Sequence, residues 1–181
     1  IGATNVFRIL GVPAGVLVLL ADAAKGWVAV AVGAGLVSGW LCPGASPQER
    51  EWFRIVAALA AVLGHNYTCW LRFRGGKGIA TSAGVLTALV PWALLIILAV
   101  WVIVFALTRY VSLASISASL TLPFATWLTG CSTTLIMITS AMTALAVYKH
   151  RSNIQRLLNG TENRIGKRRV PQPSEAPKHT S

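Results

Sequence analysis

Apolar residues gather in five runs, at 14–41, 55–71, 79–108, 111–128 and 133–148, and the breaks between them carry glycine, proline or charge. A bilayer core of ~30 Å takes about 20 helical residues, so the pattern predicts membrane helices rather than strands. The run 79–108 is long enough to be one span, but Pro91 offers a place to divide it. Beyond residue 148 the pattern changes. Residues 149–164 are polar with apolar positions at Ile154, Leu157 and Leu158, a spacing that predicts a short amphipathic helix on the membrane surface. Residues 165–181 form a basic, proline-containing tail that reads as disordered. No internal repeat and no cleavable signal peptide is visible.

Composition agrees with this pattern. With 181 residues, 55% hydrophobic, 12% charged and a mean hydropathy of +0.64, the chain reads as a polytopic membrane protein. Charge placement adds topology. Between Gly78 and Tyr148 the only charged residue is Arg109, whereas eight of the 16 Lys and Arg lie from Lys149 onward, and Arg72, Arg74 and Lys77 form a second cluster. Such clusters mark the cytoplasmic side. An even number of crossings must then separate them, which requires the run 79–108 to turn near Pro91 and returns Arg109 to the same side. The expectation is an all-α fold with about six membrane helices, Arg8 inside and residues 42–51 outside. Its shortest member, 79–90, is expected to be tilted or partly submerged.

The net charge of +11 does not point to nucleic acid, because no basic, aromatic-interleaved soluble module is present. A basic membrane face near anionic lipids or substrates fits better. Cys42, Cys69 and Cys131 show neither metal-ligand spacing nor an obvious pair, and read as small packing residues.

Three polar islands fall on one side of this topology. In the first, "IGATNVFR", Gly2, Thr4, Asn5 and Arg8 combine flexible backbone, side-chain donors and a guanidinium able to grip phosphate; the plainer reading is a helix cap at Thr4 or Asn5 with a topology-setting Arg8. In the second, "GHNYTCWLRFRGGKGIAT", Gly75, Gly76, Lys77 and Gly78 do not make a Walker loop, since Leu71 and Gly78 occupy the positions that need Gly and Ser or Thr. Their N–H groups and the ammonium of Lys77 suit a phosphoryl group at the start of the next helix, against the alternative of a snorkelling lysine in a turn. In the third, "HRSNIQRLLNGTE", His150 and Asn153 share a helix face and offer a proton acceptor and an amide. Asp22 and Lys25, three apart inside the first run, are expected to pair and support the site. Glu162 is expected to tie the terminal segment, and His65 to be a supporting or surface residue.

Together with "LADAAKG" and "RYVSLAS", these islands resemble the signature segments of the bacterial acyl-phosphate:glycerol-3-phosphate acyltransferase family over nearly the whole chain. The resemblance implies a multi-pass enzyme of the bacterial inner membrane with its active site facing the cytoplasm. It implies acyl phosphate and glycerol 3-phosphate as substrates, 1-acylglycerol 3-phosphate as product, membrane lipids as surroundings, and no cofactor, metal or acyl-CoA. It adds Ser112, Ser115 and Arg151 to the substrate-binding candidates. The hydroxyl proton would pass to His150 or to a substrate phosphate. Family members carry seven helices, and a helix and the residues Gly-Ser-Gly-Asn usually precede the first island, so residues 1–164 are expected to be the acyltransferase domain without its first helix. The rival reading from a different class is a transporter for a phosphorylated solute, which would be expected to show an internal repeat.

Overall fold

The computed structural model of the protein describes residues 2–73 and 75–166; of the tail expected over 165–181, Ile165 is placed, donating to the Arg109 carbonyl at 3.0 Å, and 167–181 lie outside the described residues. All regular structure among them is helical. The α-helices are α1 (Ala3–Ile9), α2 (Gly11–Val28), α3 (Ala34–Leu41), α4 (Pro47–Asn66), α5 (Ile79–Leu89), α6 (Pro91–Thr108), α7 (Val111–Leu128), α8 (Thr133–Lys149) and α9 (Arg151–Leu158). A π-helical turn at Ala29–Gly33 joins α2 to α3, so Gly11–Leu41 is one rod of 31 residues, about 46 Å at 1.5 Å per residue.

Three of these helices, Gly11–Leu41, Pro91–Thr108 and Val111–Leu128, are long and apolar enough to cross a bilayer by themselves. The others expected from the sequence differ for visible reasons. α5 has 11 residues, about 16 Å, half a bilayer core. α4 starts earlier than its apolar run, at Pro47, because Ser46 and Glu49 close a capping box there, and its first two turns carry Glu49, Arg50, Glu51 and Arg54.

The division at Pro91 is present. Val90 ends α5 and Pro91 opens α6, where its missing N–H costs nothing. Both ends of the segment lie at one end of the bundle. Gly78 precedes α5 beside Asn66, while the carbonyls of Thr108 and Arg109 accept from Arg164 and Ile165 of the terminal segment. The chain therefore goes out along α5 and back along α6, as charge parity required.

Packing follows membrane rules, in which small residues and satisfied carbonyls replace a hydrophobic drive. α2 and α5 touch through glycine: a Cβ on Gly26 would collide with the Thr81 carbonyl, and one on Gly84 with the Ala23 carbonyl. Pro123 inside α7 deprives the Ser119 carbonyl of its usual donor, and Thr143 of α8 donates to it at 2.7 Å. Trp101 of α6 donates to Ser115 of α7 at 3.1 Å. Val62, Val85, Leu86, Val90, Ala118 and Leu122 are buried among the helices, while leucines such as Leu17, Leu95 and Leu107 face outward.

The α2–α5 contact generates a stability prediction. Gly84→Val must push two backbones apart and is expected to cost about 1–3 kcal/mol, whereas Gly39→Ala, with nothing within 4 Å of the new methyl, should leave the melting temperature in detergent unchanged.

Candidate active site

The end of the bundle that carries the loop 75–78 also carries the charged network. Asn66 closes α4, and its carbonyl accepts from Gly75 N at 3.2 Å and from Lys149 Nζ at 3.0 Å, which fixes the loop against α4 and α8. The glycines are needed for this closeness. A Cβ on Gly75 would strike the His65 carbonyl, one on Gly76 the His65 ring, and one on Gly78 would come 2.6 Å from Asn66 Oδ1. Gly78 also holds φ +78°, the left-handed conformation, at the N-cap of α5. The loop thus presents Lys77 at a helix N-terminus, where the partial positive charge of the peptide dipoles adds to its own.

His65 is itself held from the other side. Lys25 Nζ lies 2.5 Å from Asp22 Oδ1 and 2.6 Å from His65 Nδ1, and the imidazole is 3.4 Å from Asp22. An ammonium only donates, so Nδ1 is the acceptor and Nε2 carries the hydrogen toward Gly76. The expected Asp22–Lys25 pair is present, and His65 joins it as the piece that touches the loop.

Lys77 Nζ donates to Asn153 Oδ1 at 2.5 Å, and Asn153 Nδ2 donates to Glu162 Oε1 at 2.8 Å. Ser112 Oγ donates to the same oxygen at 2.8 Å, and Arg156 Nε to Glu162 Oε2 at 2.7 Å. One carboxylate, 9% exposed, therefore gathers α7, α9 and, through Asn153, the loop. Burial alone would raise the Glu162 carboxyl, but hydrogen bonds from Asn153, Ser112 and Arg156, with the Arg156 charge, outweigh it and hold it below its ordinary range. Burial pushes the Lys77 ammonium down; Glu162 pulls it back, while the like charges of Arg156 and Arg8 push it further down.

Against the carboxylate of Glu162 stand Lys77 and Arg156, an excess of positive charge at a partly buried site. Such a site is complementary to a phosphate. His150, 2% exposed, donates from Nδ1 to the Ala146 carbonyl at 2.7 Å, so Nε2 keeps its lone pair. Burial lowers its pKa from the usual 6.5, against the Ala146 hydrogen bond, which raises it; Lys77 lowers it and Glu162 raises it.

The remaining candidates are distributed differently. Gly2, not Thr4 or Asn5, is the N-cap of α1; Thr4, Asn5 and Arg8 lie within the helix and are exposed. Ser115 is occupied by Trp101, and Arg151 folds back onto the Tyr148 carbonyl and ring, 3.1 Å and 4.4 Å away. The short amphipathic helix expected after residue 148 is present as α9, with Ile154 and Leu157 half-buried and Leu158 82% exposed, and it is further held through Asn153, whose amide Glu162 binds. Cys42 and Cys69 are exposed rather than packed. Among the described residues no group of three His, Cys, Asp or Glu is placed to hold a metal ion.

Sequence reasoning passed over three residues. Arg156 sits three positions after Asn153, a helical spacing that signals a shared face. Asn66 and Thr81, at 1% and 0% exposure, have side chains with no hydrogen-bond partner among the described residues, and both flank the loop.

A bundle of apolar helices with a cationic, partly buried cluster at one end has the build of an integral membrane protein. Residues 1–160 match the family described as glycerol-3-phosphate acyltransferase, and the chain belongs to that family. It is 41% identical over 164 residues to the glycerol-3-phosphate acyltransferase of Endomicrobium trichonymphae, covering 91% of this chain and 77% of the relative. It is 43% identical over 172 residues to that of a Synechococcus strain, covering 95% and 80%. Among solved structures it is similar to PlsY, an integral membrane glycerol 3-phosphate acyltransferase, in its glycerol 3-phosphate form, with a TM-score of 0.78, 38% identity, and 91% and 78% of the two chains covered. The protein is accordingly an integral membrane acyltransferase.

Glu162 is the test of the cluster. Glu162→Gln would turn an amide toward donors that need a carboxylate and is expected to destabilise the protein by about 2 kcal/mol at pH 7. A lowered folded pKa means that Glu162 contributes fully above 4.5 and loses that contribution as pH falls through its folded value, so the melting temperatures of the two proteins should converge below pH 4.5.

Proposed function

We propose that the protein transfers a fatty acyl group from acyl phosphate to glycerol 3-phosphate, forming 1-acylglycerol 3-phosphate and inorganic phosphate. The observation that carries this reading is the meeting of Lys77, Asn153, Ser112, Arg156 and Glu162 in one hydrogen-bonded cluster. Two phosphorylated substrates repel each other, and the surplus of cations offsets that repulsion. The glycerol hydroxyl attacks the acyl carbonyl carbon, the carbon–oxygen bond to phosphate breaks, and phosphate leaves with the electron pair. Acyl phosphate is an activated mixed anhydride, so positioning and charge neutralisation are the main tasks. The hydroxyl proton goes to His150 Nε2 or to an oxygen of a substrate phosphate. Asn153, held by Glu162, orients the Lys77 ammonium for the phosphate. The substrates named for the family's relatives support the acceptor, and the donor rests on the three islands and their chemistry.

The site end also carries Arg72, Arg109 and the segment from Lys149, which supports a cytoplasmic orientation in a bacterial inner membrane. With the native cysteines replaced, a cysteine at position 109 should be labelled only from the cytoplasm and one at 48 only from outside; labelling of 109 from outside alone would overturn the orientation.

The purified protein should acylate glycerol 3-phosphate from acyl phosphate without added metal or acyl-CoA, read by mass spectrometry of the lipid product. Lys77→Ala and Arg8→Ala should each lose about 2–4 kcal/mol of transition-state stabilisation. Full turnover by both variants at limiting glycerol 3-phosphate would sink the phosphate-site reading, and solute uptake into vesicles without product would favour transport. The pH profile separates the proton acceptors. A base whose pKa is lowered stays neutral until pH falls below 6.5, so an acidic limb in kcat below 6.5 that disappears in His150→Gln assigns the proton to His150, and one that persists assigns it to phosphate.

A further inference from the structure

Toward the other end of α4 lies a cavity of about 310 Å³ between the α2–α3 rod, α4 and the end of α5. Its walls include Trp27, Val30, Ala34 and Gly35, and its polar rim is Arg50 and Arg54. Arg50 lies 16 residues before Asn66 on the same helix, about 24 Å along the axis, so the cavity is separate from the site around Lys77.

The two guanidiniums are only partly used. Arg50 Nε donates to the Ala45 carbonyl at 3.0 Å, and Arg54 Nη2 donates to the Ala88 carbonyl at the end of α5. Neither pairs with a carboxylate among the described residues. The adjacent acids do not neutralise the cavity: Glu49 is folded onto Ser46, Glu51 accepts from Ser132, the N-cap of α8, at 2.9 Å, and neither lines the wall. The π-helical turn at Ala29–Gly33 forms part of the apolar wall, and such turns often mark binding sites. Beside Gly35 the wall is open, since a Cβ there would meet nothing within 4 Å.

We propose that this cavity binds one anionic phospholipid, its phosphate on Arg50 and Arg54 and an acyl chain along the exposed wall residues Trp27, Ala31 and Gly35. Charge and place select the occupant. Two guanidiniums with spare parallel N–H groups match phosphate oxygens, and they stand above an apolar wall on a bundle whose surroundings are lipid. A free anion would use the rim but leave the wall bare, and a neutral lipid would use the wall but leave the guanidiniums without a net counter-charge.

The test uses delipidated full chain and native mass spectrometry with phosphatidylglycerol, phosphatidylcholine or inorganic phosphate as probe. One phosphatidylglycerol per chain should survive activation that strips phosphatidylcholine. Arg50→Gln should weaken its retention about tenfold, the loss of one charge-assisted contact. Gly35→Leu fills the wall and should remove retention while acyl transfer and melting temperature stay unchanged. Equal retention of both lipids, displacement of phosphatidylglycerol by inorganic phosphate, or full retention in Gly35→Leu would each overturn the proposal. A dimer that Gly35→Leu dissociates would overturn it too, by showing a second copy in the groove.

Discussion

Everything at the working end of this protein depends on keeping one buried carboxylate ionised. Glu162 has hydrogen bonds from Asn153, Ser112 and Arg156, and without them burial would favour the protonated acid. A protonated Glu162 would give up an acceptor, free the Asn153 amide to rotate and leave the Lys77 ammonium without a fixed direction. The carboxylate acts through these neighbours and touches the loop only by way of Asn153. This explains why the segment after α9 turns back toward α7 although that segment is almost wholly polar.

The fixed loop on the opposite wall completes the arrangement. Loop 75–78 has no side chains with which to anchor itself except Lys77, so its position comes from what the glycines allow to approach: the α4 terminus on one side and His65 on the other. Asp22 and Lys25 then extend the support into α2. A charge pair within an apolar helix is justified here because both members have work at the edge of the loop. The cluster is consequently built from separate parts of the chain, the loop 75–78, α7, α9 and the segment carrying Glu162, and the ends of α2 and α4 brace it.

Much of this was legible in sequence because membrane helices leave polar residues few places to be. Lys77, His150, Asn153 and Arg8 stood out against apolar runs, and counting charge parity located the turn at Pro91. What escaped depended on helix phase and close packing. Arg156 and Arg151 look alike in one island, and only the start of α9 decides that Arg156 shares the Asn153 face while Arg151 turns to Tyr148. The apolar spacing in α9 announced an amphipathic helix, but not that Asn153 would fasten it to Glu162. Asn66 and Thr81 are small polar residues next to a louder glycine motif. The capping box that lengthens α4 to Pro47 was present in the letters Ser46 and Glu49, outside the apolar run that defined the expected span.

The half-length of α5 makes it depend on α4. A helix that stops after 11 residues leaves its last carbonyls where no water can satisfy them, and Arg54 reaches across from α4 to the Ala88 carbonyl. Neither helix is comfortable in lipid alone, one carrying an unmatched guanidinium and the other an unmatched backbone. The contact between them settles both needs at once: the guanidinium gains an acceptor and the short helix gains a donor for its open end.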